Sequence, residues 1–323
     1  MKDKLPQNLA FDLVRSTEAA ALAAGRWIGL GEQEQADRIA TNKMIEALNH
    51  VDMDGHIIMG EFDEGREPLF NQDENIGSGK GPKLDLILDA VDGSAQLSKG
   101  SPGALSAAAV APAGSMHVPV DAVYMNKIIV DRTVAPSLVT QCLNAPPGWT
   151  LALVARAKKR DINMLTVFVL DRPRHQDLVN EIRAAGAHVM LAPDGDIAGG
   201  ILACTQGTGV DILMGIGGVV EGILVACAVK AIGGMMISQF APASENERLG
   251  IEKSGYELGK IYNQDDLVTT NEVFFSATGI NDGPILNGVK YKGELATSNS
   301  LLLRGESKTR RLMNAEHRLS EIV

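Results

Sequence analysis

The feature that most narrows the fold is the regular exchange of strand and helix signals over residues 164–232. MLTVFVLDRPRHQ reads as a strand and turn, residues 177–184 as a helix, and AHVMLAPDGD as a second strand and turn. A helix near Ile197 follows, then VDILMGIGGVVEG, which passes from a strand through glycines into a long helix. Such exchange belongs to α/β folds, whose informative loops follow the carboxyl ends of the strands.

The first half reads differently. Residues 7–25 carry helical periodicity, and residues 37–48 read as a second helix with Ala36 and Ala40 on a close-packing side. HIIMGEFDE is a short β-branched run reaching Gly60 and Glu61. LDLILDAVDGSAQ, residues 84–96, is an apolar run that ends in two aspartates. An unpaired buried carboxylate is costly, so the run reads as a strand delivering Asp89 and Asp92 to a site where they are solvated, paired or coordinated. GALSAAAVAP and VFFSATGI read as further core strands. Pro136, Pro146, Pro147 and Gly148 punctuate the pattern and suggest two domains: 1–148, α+β with the acids, and 149–323, α/β.

With 323 residues and 45% hydrophobic composition the chain can bury a sizeable core. Thirty basic against 40 acidic residues give a net charge of −10, and no basic run interleaved with aromatics argues for nucleic acid. The apolar stretch 216–236 is broken by Gly217, Gly218, Glu221, Gly222 and Lys230, a poor membrane span. The N-terminus lacks the order of a signal peptide. Cys142, Cys204 and Cys227 lack metal-type spacing and read as buried thiols of a reducing compartment, so the cytoplasm is expected.

Five acids stand in unusual settings: Asp37 at an expected helix start, Glu61 after a glycine, Asp89 and Asp92 after a strand, and Glu221 opening a helix. Carboxylates with few histidines suit hard cations such as Mg²⁺ or Mn²⁺ rather than zinc. Two such ions can polarise a phosphoryl group and activate water. Gly93 and Ser94 add a backbone that can approach a phosphate and a hydroxyl beside it. Taken singly, Asp37 reads as a helix cap and Glu61 as a solvated loop residue.

WIGLGEQEQAD, IIMGEFDE, LDAVDGS, VYMNKIIV, DRPRH, APDGDIA, GIGGVVEG and FFSATGI occur in one order along residues 10–310. In order and spacing they resemble the class II fructose-1,6-bisphosphatase family, the GlpX-type sugar bisphosphatases. LDAVDGS is also similar to the metal motif of the lithium-sensitive phosphatase superfamily. The resemblance implies a layered α-β-α-β-α sandwich of the sugar-phosphatase type and a homodimer or homotetramer. It implies hydrolysis of the 1-phosphate of fructose 1,6-bisphosphate with Mg²⁺ or Mn²⁺. It assigns Asp37 and Glu61 to one metal, Asp89, Asp92 and Glu221 to a second, and a catalytic part to Ser94, Asp89 and Asp92. Asp92, Gly93, Ser94, Tyr124, Arg172, Pro173, Arg174, Asp194, Gly195, Asp196 and Gly218 match positions that hold the sugar bisphosphate. The arginines suit forked hydrogen bonds to the second phosphate, and the aspartates suit sugar hydroxyls.

The chain departs from that pattern near the site. Gly31, Glu32 and Gln33 stand where the family usually has glycine, acid and lysine, and Asp92 and Ser94 replace its glutamate and threonine. Sedoheptulose 1,7-bisphosphate, an inositol-type monophosphate, and a sugar-phosphate-binding paralogue without activity are the competing expectations.

Overall fold

The structure is a computed structural model describing residues 4–60, 69–70, 75–119 and 121–320. Its elements in chain order are α1 (Gln7–Ala24), α2 (Gln33–Asn49), β1 (Asp54–Gly60), β2 (Asn75–Ile76), β3 (Lys83–Asp92), α3 (Ser94–Lys99), β4 (Leu105–Pro112) and β5 (Tyr124–Val130). There follow α4 (Pro147–Lys158), β6 (Thr166–Leu170), α5 (Gln176–Ala184), β7 (His188–Ala192), α6 (Asp196–Cys204), β8 (Ile212–Gly218) and α7 (Val219–Ile232). The remainder is β9 (Met235–Phe240), α8 (Glu245–Lys253), β10 (Tyr262–Asn263), α9 (Gln264–Leu267), β11 (Phe274–Gly279), β12 (Lys290–Lys292), β13 (Leu295–Arg304) and β14 (Thr309–Arg318). The α/β class read from the sequence is the class observed. No helix of the described residues is long and apolar enough to cross a membrane.

The chain divides into two compact units, Met1–Met116 with Thr270–Val323, and His117–Thr269. Position 148 lies inside the second unit. The prolines before it punctuate a connection whose Leu138, Cys142 and Leu143 enter the same core as Val130, Leu151 and Val154, so no boundary forms there.

The first unit is a mixed sheet in the order β12-β13-β11-β4-β3-β1-β2, with β14 on the outer side of β13. Leu84, Leu86 and Leu88 of β3, Ala108 and Val110 of β4 and Leu302 of β13 pack with Leu9, Leu13 and Val14 of α1 and Met44 of α2. Ala36 and Ala40 of α2 are fully buried on its packed side, as expected, and Ala20 and Ala24 of α1 are fully buried as well. Ser16 and Thr17, within α1, donate to the Leu13 and Val14 carbonyls, so their buried hydroxyls are satisfied.

The second unit is a six-stranded sheet, β10-β9-β5-β8-β6-β7. β6 runs parallel to β8 and β7, while β5 runs antiparallel to β8 and β9. One edge of this sheet therefore collects the carboxyl ends of β6, β7 and β8 together with the start of β5. α6 and α7 are apolar almost all round, as helices covering a sheet on a buried face must be. Cys142, Cys204 and Cys227 are buried free thiols, as expected, and burial pushes the Cys227 thiol up to about 12.

Candidate active site

In the first unit β3 carries both aspartates within the strand. Asp89 pairs with Ala107 and Asp92 with Leu105, so three steps along β3 match two along β4. Regular alternation would send residues three apart to opposite faces; the extra residue of this bulge brings Asp89 and Asp92 to the same face. At 1% and 4% exposed they are not solvated, which leaves pairing or coordination of the three alternatives. The Val91 N–H donates to Asp89 Oδ1 at 3.0 Å, an Asx-type turn that fixes one carboxylate oxygen against the bulge.

Gly93 follows at φ 92°, and α3 starts at Ser94. A Cβ at Gly93 would stand 2.6 Å from Gln96 Oε1 and 3.2 Å from the Ala104 Cα, so both the turn and the close approach require glycine. Ser94 Oγ donates to Asp37 Oδ1 at 2.6 Å and lies 3.0 Å from the Val91 carbonyl. Asp37 is not a helix cap. α2 begins at Gln33, so Asp37 sits in its second turn, 3% exposed, with its carboxylate on the Ser94 hydroxyl. The Gly29 and Gly31 N–H groups donate to the Leu97 and Ser98 carbonyls of α3, tying the α2 entrance to the turn after β3. Glu61 lies outside the described residues; Gly60 before it pairs with Leu88, one residue from Asp89.

Among the described residues no group of three or more His, Cys, Asp or Glu side chains could hold a metal ion as placed. The first unit does supply buried, oxygen-only donors, Asp37, Asp89 and Asp92, with a hydroxyl between elements. That chemistry fits a hard divalent cation and does not fit zinc or copper.

In the second unit the remaining candidates gather at the collected sheet edge. Tyr124 opens β5 and pairs with Gly218, the last residue of β8. Arg174 stacks over the Tyr124 ring at 5.1 Å and its Nη2 donates to the Ile216 carbonyl at 2.9 Å. Arg172 donates to the Pro193 carbonyl and faces Asp194 at 3.4 Å. Gly195, at φ 90°, caps α6, whose first residue is Asp196. Glu221 lies in the first turn of α7, its carboxylate folded back so that a Cβ at Gly218 would stand 1.9 Å from Oε2. Burial pushes the Glu221 carboxyl up; Lys127 opposes this, while Asp196 and Asp194 add to it. The amino ends of α6 and α7 at this edge favour anions.

Two residues in recognised blocks had no role assigned. The β6–β8 ladder stops at Phe168 and Leu213, yet both strands continue. His175 spans the opening: Nδ1 bonds the Leu170 carbonyl at 2.7 Å and Nε2 accepts the Ile216 N–H at 2.8 Å. Gly215, at φ 131°, leaves room for the ring. The second is Lys127, fully buried in β5. A lysine inside the apolar run YMNKIIV was the one local signal available for it.

A model of the family described as bacterial fructose-1,6-bisphosphatase, glpX-encoded, matches residues 7–317. The Escherichia coli K12 protein "Fructose-1,6-bisphosphatase 1 class 2" is 35% identical over 326 residues, covering 97% of this chain and 96% of its own length. The Shigella flexneri protein "Fructose-1,6-bisphosphatase class 2" aligns with the same identity and coverage. The chain therefore belongs to the family of bacterial, glpX-encoded fructose-1,6-bisphosphatases, a family of phosphatases.

Proposed function

We propose that the protein hydrolyses the 1-phosphate of fructose 1,6-bisphosphate, releasing fructose 6-phosphate and phosphate, with Mg²⁺ or Mn²⁺. The observation that carries this reading is the family match over residues 7–317, joined to acidic residues at all five positions expected to hold metal. Asp37, Glu61, Asp89, Asp92 and Glu221 are the residues that would hold the ions. Bound there, divalent ions supply charge neutralisation for the phosphate and a water of lowered pKa.

The protein's own groups do the rest. Ser94, with its hydroxyl on Asp37, can present its oxygen to the phosphoryl group, and the glycine turn at Gly93 lets the backbone approach it. Asp194 and Asp196 can accept bonds from sugar hydroxyls. Arg172 and Arg174, already braced by the Pro193 and Ile216 carbonyls and by Tyr124, can meet the second phosphate with little loss of side-chain freedom. The protein acts in the cytoplasm as a homodimer or homotetramer in this reading.

The test is phosphate release from fructose 1,6-bisphosphate, sedoheptulose 1,7-bisphosphate and inositol 1-phosphate, each with Mg²⁺, Mn²⁺ or chelator. Release from the first, abolished by chelator, is the expected result. Gln33, at the first residue of α2 in place of the family's usual lysine, favours a second reading, a sugar-phosphate-binding paralogue. Binding of the bisphosphates without release from any would select it.

A further inference from the structure

Lys127 projects from the middle of β5, opposite Gly215 of β8 and Ser238 of β9, with none of its side chain exposed. A lysine in such a place must be paired, since a buried ammonium without partners is strongly disfavoured. Its Nζ is ion-paired with Asp196, itself 4% exposed, and donates to the Gly218 carbonyl at 3.1 Å. These partners belong to different segments. Asp196 ends the 194–196 turn and begins α6, whereas Gly218 ends β8 and precedes Glu221 by three residues.

The packing around Nζ leaves no slack. A Cβ at Gly217 would fall 1.8 Å from Asp196 Oδ2 and 2.9 Å from Lys127 Nζ, so the carboxylate lies directly against the β8 backbone. Two amino-terminal helix turns, bearing Asp196 and Glu221, are thereby referred to one cation. A plain structural ion pair would need only one of these partners; the shared carbonyl links the sugar-side turn to the turn that aims Glu221.

We propose that Lys127 is a positioning residue: it fixes Asp196 and the Gly218 carbonyl relative to each other, so that the 194–196 turn meets the sugar in a set orientation. The inference rests on the reading of Asp196 as a sugar-binding residue. The experiment is a double-mutant cycle with Lys127→Met, Asp196→Asn and the pair combined. It reads KM and kcat for fructose 1,6-bisphosphate, the Kd of fructose 6-phosphate by calorimetry, and the denaturation midpoint.

Lys127→Met is expected to raise KM and the fructose 6-phosphate Kd about tenfold, with kcat lowered less than about threefold. In the Asp196→Asn background the same change is expected to add little, because Lys127 acts through that carboxylate. Lys127→Gln keeps a donor and should fall between wild type and Lys127→Met; it carries the measurement if Lys127→Met does not fold. A lowered denaturation midpoint with wild-type KM and Kd would reduce Lys127 to a structural ion pair and overturn the proposal. Fully additive effects on Kd would overturn it as well. A wild-type protein that neither releases phosphate nor binds fructose 6-phosphate would instead sink the functional reading, and this inference with it.

Discussion

At Gly217 and Gly218 a single methyl group is enough to move a carboxylate. Gly218 has φ −66° and ψ 153°, a conformation open to any residue, so the obstacle to alanine there is the Glu221 Oε2 1.9 Å away and not the backbone. Gly218→Ala is expected to leave the fold intact and to raise the metal concentration needed for half-maximal activity about tenfold or more, as metal titration would show. Substitution at Asp89 tests the other unit. Asn keeps the oxygen that accepts the Val91 N–H, so Asp89→Asn should keep the unfolding free energy within about 1 kcal/mol of wild type while metal-dependent phosphate release falls about 100-fold. An unchanged rate would remove Asp89 from the candidate site. Asp89 and Asp92 could be singled out in the sequence because acids at the end of an apolar run are conspicuous. Lys127 was less conspicuous, since its partners Asp196 and Gly218 lie far away in the chain and only the fold brings them to it.

At the scale of elements, His175 does the work of missing ladder bonds between β6 and β8, and this sets a pH dependence. Its Nε2 accepts an N–H and so must be unprotonated, and burial holds the imidazole below its usual value of 6.5. The unfolded chain therefore binds a proton that the folded chain resists, so stability is full above about pH 6.5 and declines as the pH falls through the window below it. Denaturation midpoints measured from pH 7.5 to 5 should show that decline, and His175→Gln should flatten it. His175→Ala should cost about 1–3 kcal/mol and loosen the Arg172–Arg174 turn, raising KM more than it lowers kcat. The strands around this turn were legible as short apolar runs closed by proline or glycine, and the helix after it by its amphipathic spacing before Gly186. The start of α2 was not, for Glu32 makes no side-chain cap and the first turns are polar, which made Asp37 look like the cap. The bulge in β3 was also invisible, because a bulge is defined by its partner strand, and sequence pattern describes one strand at a time.

For the whole molecule, the decisive fact absent from local pattern is that β11, after residue 270, returns to pair with β4, before residue 116. Periodicity identified VFFSATGI as a strand but had no means of assigning it to the first sheet. Truncation after Thr269 would strip β4 of its neighbour and remove the buried Phe274, Phe275, Leu301, Leu302 and Leu303. The truncated protein is expected to lose the cooperative unfolding of its first unit, as urea titration followed by circular dichroism would report. The chain leaves the first sheet at Pro112 and re-enters it at Phe274, opposite Val110 of the same strand, so the second unit is spliced into what is otherwise an antiparallel strand pair. On the ribosome this reverses the usual order of maturation. β4, the neighbour of the Asp89-bearing β3, is made early yet stays without β11 until the whole inserted unit has been synthesised, a wait of about 8–30 s at 5–20 residues per second. The nascent first sheet thus has an open edge for that interval, and it is there that a chaperone would be needed.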